Sequence, residues 1–282
     1  MQFRNKQKEC DNRAVFLGCA ACAVGKDHPL ILDKFSLKGK TALVTGSSRG
    51  LGAGIALALA EAGANVALHG SRSVPESTQQ LVRESGASQI ALVGDVGDAS
   101  VCARLVEQTI HHFGALDILV NNAGIIRRSP AAEHPEEDWN AVITVNLTSV
   151  FHLMQHAGRH MLARGSGKII NIASLLTFQG GINVPSYAAA KGGVGQLTKA
   201  FANEWAAKGV NVNAIAPGYM ATDNTEALQA DPERERQILE RIPAGRWGCP
   251  EDLAGAAVFL ASNASNYMHG QILVVDGGWL NR

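Results

Sequence analysis

From Lys40 onward the chain alternates short apolar runs with longer helix-forming stretches, and this alternation constrains the fold more than any other feature. Segments 40–46 (KTALVTG), 65–70 (NVALHG), 89–95 (QIALVGD), 117–124 (DILVNNAG), 167–174 (GKIINIAS), 210–217 (VNVNAIAP) and 271–278 (QILVVDGG) read as strands. Most are continuous apolar runs, as strands buried on both faces require. Residues 51–64, 75–85, 98–113, 136–163, 186–208 and 250–261 read as helices between them. Strand, helix and strand repeated in this way imply a parallel sheet with right-handed crossovers and helices on both faces. The expectation is an α/β fold, a doubly wound parallel sheet of about seven strands.

The first strand runs into Gly46-Ser47-Ser48-Arg49-Gly50-Leu51-Gly52 and then a helix. A Gly-rich turn opening a helix suits a dinucleotide: the backbone can approach the pyrophosphate, and the helix N-terminus offers N–H groups and positive dipole. The spacing is GxxxGxG rather than GxGxxG, which weakens the motif taken alone. Gly46, Ser48, Arg49, Gly50, Leu51 and Gly52 are the candidate contacts in a Rossmann-type domain. The second strand ends at Gly70, with no acid there to meet the ribose hydroxyls of NAD, and Arg72 follows closely. Arg49 and Arg72 could instead hold the 2′-phosphate of NADP, because a guanidinium grips phosphate with a planar fork. As solvated surface charges they would say nothing of cofactor choice, so both NAD and NADP remain open. Asp95 and Val96, ending the third strand, are placed for the adenine edge. Asn122, Ala123 and Gly124 end the fourth, near the expected switch point. Pro217, Gly218 and Tyr219 follow the sixth, where a fixed turn could brace a nicotinamide with Thr222 near its carboxamide.

Tyr187 and Lys191 stand four residues apart in SYAAAKGGV and would share one helix face. A free phenol, with a pKa of about 10, is a poor base at neutral pH, and a nearby ammonium should lower it toward working range. The pair could then act as general acid and base. Ser174 ends the fifth strand, where such sheets line their ligand crevice, and its hydroxyl could hold a carbonyl oxygen. Asn146 precedes that strand, and its amide could anchor a water near Lys191.

Together these motifs resemble the short-chain dehydrogenase/reductase family over about residues 36–282. The resemblance implies a catalytic tetrad of Asn146, Ser174, Tyr187 and Lys191, with Lys191 also on the nicotinamide ribose and Asn122 and Asp95 on the cofactor. It further implies a homotetramer, with segments 136–163 and 186–208 at one interface. Stretches 121–128, 171–194, 216–228, 241–248 and 275–280 are similar to members that interconvert keto and hydroxy sugar acids. Arg127, Arg128 or Arg246 could take a carboxylate by paired hydrogen bonds, with Arg128 and Arg246 preferred. Gln179 and Asn224 could meet hydroxyls. The tetrad fixes a reaction class and not a substrate, so 3-oxoacyl, glucose or hydroxysteroid substrates are alternatives. A binding protein without turnover is the competing reading, and it would need no proton relay.

The 282 residues suffice to bury a core without disulfides or metals. Zero formal net charge and the absence of a basic stripe give no sign of a nucleic-acid partner. The partners expected are small molecules. Five cysteines, at 10, 19, 22, 102 and 249, are an odd count without regular spacing, which fits a reduced, cytoplasmic protein. Cys19 and Cys22 form a lone CxxC. His152, His156 and His160 make a helix stripe with no carboxylate to complete a metal set, so no metal site is expected. Residues 1–13 are polar and basic and 14–24 apolar. That order resembles a secretory signal, but the run is too short to span a bilayer as a helix. Residues 1–35 are read as a poorly ordered extension, and no membrane partner is expected. The tryptophans are assigned to the core or a substrate lid, with Trp279 a candidate to reach a neighbouring subunit.

Overall fold

Side chains along each strand alternate between two layers, and the helices divide accordingly. The computed structural model describes residues 30–282. In β1 (Thr41–Val44), Ala42 and Val44 enter one layer and Leu43 the other. The remaining strands are β2 (Asn65–Gly70), β3 (Gln89–Val93), β4 (Ile118–Asn121), β5 (Gly167–Ile172), β6 (Val210–Pro217) and β7 (Ile272–Val275). All pair in parallel, in the order β3-β2-β1-β4-β5-β6-β7. Each of the seven expected strands is present, within the compact unit Phe35–Arg282.

The helices are α1 (Gly50–Glu61), α2 (Glu76–Glu84), α3 (Ala99–Phe113), α4 (Glu136–Ile143), α5 (Ser149–Arg164), α6 (Pro185–Trp205), α7 (Glu226–Gln229), α8 (Pro232–Arg241) and α9 (Ala254–Ala261). Ile55 and Leu59 of α1 and Leu260 of α9 pack with Val44, Val66, Val120 and Ile215 on one face. Leu105 of α3, Met154 of α5 and Val194 of α6 pack with Leu43, Leu119 and Val212 on the other. Successive strands leave β1 in opposite directions, to β2 and to β4. A crevice therefore opens at the carboxyl ends of β1 and β4, where such sheets bind ligands.

Two helical expectations change. The helix read across 136–163 is broken by a π turn at Thr144–Thr148, which contains Asn146. Helices α7 and α8 occupy a stretch that carries no helical reading from the sequence. In α8 the Asp231 carboxylate caps the start, accepting from Glu233 N and Arg234 N, while only Ile238 is buried.

Among the described residues no helix is long and apolar enough to cross a membrane. No group of three or more potential ligands gathers for a metal among them either. His160 Nε2 instead accepts from Leu116 N at 3.2 Å. The basic and apolar runs of residues 1–24, with Cys10, Cys19 and Cys22, lie outside the described residues. Of the tryptophans, Trp205 sits in the core as expected, whereas Trp139 is exposed and is not a core residue. Trp279 is buried within its own chain against Tyr219, at 4.5 Å between centroids.

Candidate active site

The phosphate loop is held from beneath by polar groups of neighbouring strands. Gly46 N donates to His69 Nδ1 at 3.0 Å, and His69 Nε2 donates to Gly94 O at 2.8 Å. An accepting Nδ1 fixes a neutral imidazole. Burial, the largest influence on His69, pushes its pKa down in agreement. The sequence offers no sign of this role, because a histidine in an apolar run reads as strand. Asn122 Nδ2 donates to Thr45 O and Gly46 O, both at 2.9 Å, so its amide ties β4 to the loop and does not face the crevice. An added Cβ at Gly52 would overlap Gly46 O and Asn122 Nδ2. The first turn of α1 is thus drawn tight against the loop, with Ser48 and Arg49 exposed, Gly50 half-buried and Leu51 packed against the core.

Gly70 is equally confined. A Cβ there would overlap the Ser73 carbonyl oxygen and stand 3.0 Å from Ser48 Oγ. Position 70 therefore has no room for a carboxylate. Arg72 is exposed and makes no ion pair among the described residues. Arg49 Nε pairs with Asp223 Oδ2 at 2.8 Å, an exposed contact that links α1 to the segment after β6. Thr222 begins the turn Asp223–Thr225 on that segment. Asp95 is exposed and accepts from Gly97 N at 2.9 Å, with Val96 buried beside it. Ala123 N donates to Thr45 Oγ1, and Gly124 faces Asn146 Oδ1. Pro217 closes β6, and Gly218 N donates to Val275 O.

Ser174, Tyr187 and Lys191 converge where β5 meets α6. Ser174 caps the turn Leu175–Thr177, its Oγ accepting from Leu176 N at 3.2 Å. Lys191 Nζ lies 5.6 Å from the Tyr187 ring centroid and donates to Ile172 O. Lys191 is 5% exposed, and burial lowers its pKa to about 8. The expectation that an ammonium lowers the Tyr187 pKa needs correction. Burial raises it, and what offsets the burial is the Ser174 hydroxyl and the charge of Arg128. Asn146 also departs from expectation. Its Nδ2 donates to Ile125 O and its Oδ1 accepts from Ile125 N, each at 2.8 Å, so the amide holds the backbone at Ile125 and no bond runs to Lys191. The turn around it is a π turn, which is wider than an α turn.

The three arginines separate. Arg128 reaches from the loop after β4 to Asn224 O at 2.8 Å, and its charge is felt at Tyr187. It thereby joins two of the expected substrate residues, although Asn224 contributes its carbonyl to this contact. Arg127 pairs with Asp138 at 3.2 Å. Arg246 forks onto Asp252, with both bonds at 2.7 Å, and this ties down the 245–249 turn. The carboxylate expected against Arg127 or Arg246 therefore meets guanidinium groups already paired within the chain. Gln179 is half-buried near the Ser174 turn. Tyr219 meets Trp247 edge-on at 5.7 Å between centroids and lies tilted against Trp279 at 4.5 Å, with Arg241 4.0 Å above Trp279. A cavity of about 180 Å³ lies beyond β6 and β7, lined by Met220, Ala244, Arg246 and Asp276 among others; it contains none of the tetrad.

A family model described as enoyl-(acyl carrier protein) reductase matches residues 46–280. A 2-dehydro-3-deoxy-D-gluconate 5-dehydrogenase of Pseudoalteromonas atlantica is 56% identical over 259 residues, covering 89% of this chain and 100% of the relative. The chain belongs to the short-chain dehydrogenase/reductase family. Within it, a crystal structure named as a 2-deoxy-D-gluconate 3-dehydrogenase from Agrobacterium tumefaciens, with bound NADP, is 54% identical. It superposes with a TM-score of 0.83, covering 89% of this chain and 100% of that one. A gluconate 5-dehydrogenase from Burkholderia cenocepacia, in complex with NADP and tartrate, is 42% identical with a TM-score of 0.85, covering 90% and 100%. The short-chain dehydrogenase/reductase sheet and the crossing at β1 and β4 are thus shared with enzymes whose names speak of sugar acids.

Proposed function

We propose that this chain transfers a hydride between NAD(P) and a keto or hydroxy sugar acid of the 2-dehydro-3-deoxy-D-gluconate or 2-deoxy-D-gluconate type. The observation that carries the reading is full-length likeness to enzymes named for those substrates, joined to Arg128 beside Tyr187. The site fits a dinucleotide. The loop approaches too closely at Gly52 to accept a side chain. Buried Lys191 has three N–H donors and, among the described residues, one acceptor, Ile172 O. When bound, the nicotinamide supplies hydride chemistry. Tyr187 gives its phenolic proton to the carbonyl oxygen during reduction and takes it back during oxidation. Ser174 Oγ holds that oxygen. Lys191 presents its remaining donors to ligand hydroxyls beside Tyr187. Asn146 keeps the loop at Ile125 in place. Gln179 and the Asn224 segment bound the space for hydroxyls. The reading includes a catalytic domain over 36–282 working as a cytoplasmic homotetramer.

Absorbance at 340 nm with a panel of keto and hydroxy sugar acids, run with NADH and NADPH side by side, tests this function. Turnover with no sugar acid would sink it. Within the panel, R128A is expected to raise KM by about 10–100-fold with little change in kcat, as loss of a charged hydrogen-bond partner predicts. Loss of this cation should also move the Tyr187-dependent limb of the pH profile upward, because the tyrosinate loses a favourable charge. An unchanged KM would reject Arg128 as the carboxylate anchor.

The cofactor reading leans to NADP, supported by the confined Gly70 and the free fork of Arg72. R72A is expected to raise the KM for NADPH by about tenfold and to leave that for NADH within twofold. Equal effects on both cofactors would reject a contact to the 2′-phosphate.

A further inference from the structure

His134 lies between two residues adjacent in sequence to the groups just described, and the mechanism makes no use of it. Its Nδ1 is 2.6 Å from Ser129 Oγ, and its Nε2 is 3.0 Å from Ser186 Oγ. Ser129 follows Arg128. Ser186, fully buried, precedes Tyr187. One imidazole thus joins the loop that carries the substrate-side arginine to the first turn of the catalytic helix.

That first turn needs an outside hold. The residue before α6, Val184, provides no side-chain cap, and Pro185 opens the helix. Asn183 before it has φ 60, the one non-glycine residue at positive φ among those described. Its carbonyl accepts from Ser129 N at 3.0 Å. The entry to α6 is therefore fixed by the 125–134 loop, through one backbone bond and the imidazole bridge. Either neutral tautomer can maintain the bridge, since a serine hydroxyl both donates and accepts.

We propose that His134 is a positioning residue that locks Arg128 and Tyr187 into one frame, so that a sugar-acid carboxylate held by the first presents its carbonyl to the second. This rests on the proposed function for its substrate. Its effect is geometric: a misplacement of about 1 Å at a reacting group can cost on the order of 100-fold. The two arms of the bridge act on different parameters. The Ser129 arm sets Arg128 and hence binding. The Ser186 arm sets Tyr187 and hence proton transfer.

The test separates the arms. S129A is expected to raise KM by about fivefold with kcat near wild type, and S186A to lower kcat by about fivefold with KM near wild type. H134A should do both, and H134Q, which keeps a polar group toward Ser186, should restore kcat more than KM. Hydrogen exchange supplies a reading that needs no turnover. In H134A the amides of Ser129 and Ala188 should exchange about tenfold faster, while Val194–Trp205 stays protected. If H134A leaves KM and kcat within twofold, or if exchange accelerates evenly along α6, the positioning role is wrong. If wild type turns over no sugar acid, the substrate reading fails, and the exchange result alone decides whether His134 locks the two segments.

Discussion

Replacing Lys191 by Met is expected to remove most turnover while leaving the fold as stable as before, or more stable, at pH 7. Loss of the ammonium that lines the Tyr187 ring and offers its donors to bound ligand should lower kcat by about 10²–10⁴-fold. Stability moves the other way because of where the ammonium sits. It is 5% exposed, its one partner among the described residues is Ile172 O, and burial holds its pKa near 8 against an ordinary 10.5. Below pH 8 the native state carries the full penalty of a buried charge. Between about 8 and 10.5 the unfolded chain binds a proton that the native one does not, so wild-type stability rises with pH. The penalty is on the order of 3 kcal/mol. A methionine of similar length removes it, less the lost bond to Ile172 O, for a net gain of about 1–2 kcal/mol at pH 7. Denaturant unfolding of both proteins at pH 7 and pH 9.5 reads this directly. The wild type should gain on the variant as pH rises. A variant less stable than wild type at pH 7 would mean that Lys191 is better paired than its surroundings indicate.

The second large effect concerns the phosphate loop. G52A is expected to weaken NADPH binding by at least about 100-fold, equivalent to some 3 kcal/mol. An added methyl overlaps Gly46 O and Asn122 Nδ2 together. Neither can yield alone, because the Asn122 amide also holds Thr45 O and Gly46 N is fastened to His69. The loop must lift, and its N–H groups then no longer converge on a pyrophosphate. Fluorescence titration with NADPH measures the loss. A dissociation constant within threefold of wild type would show that the loop accommodates the methyl without moving its donors.

How much of this was readable beforehand depended on the distance over which each feature is encoded. The strands were plain because a doubly buried run such as ILVN or TALV is local and nearly unbroken. Tyr187 and Lys191 were plain because one helical turn sets their relation. Helix α8 was not, since PERERQILER buries only Ile238 and shows no apolar stripe. The π turn at Asn146 was hidden because one extra residue in a turn barely disturbs apolar spacing over 136–163. The pairing of Arg127 and Arg246 was hidden for another reason. Their partners are acids whose approach depends on tertiary packing: Asp138 for Arg127 and Asp252 for Arg246. The contact between His134 and Ser186 spans 52 residues and leaves no mark in either local sequence.

The crowding at Gly70 bears on how cofactor preference could change over generations. In a strand end with open space, one exchange to aspartate or glutamate offers an immediate route from one dinucleotide to the other. Here the Ser73 carbonyl fills that space, so such an exchange would unsettle the turn before it discriminated anything. A route that places an acid at position 70 must first rebuild the turn that brings Ser73 against it. A gain of NAD preference through an acid at position 70 is thereby closed to a single exchange, and a designer seeking it should begin with the length of that turn.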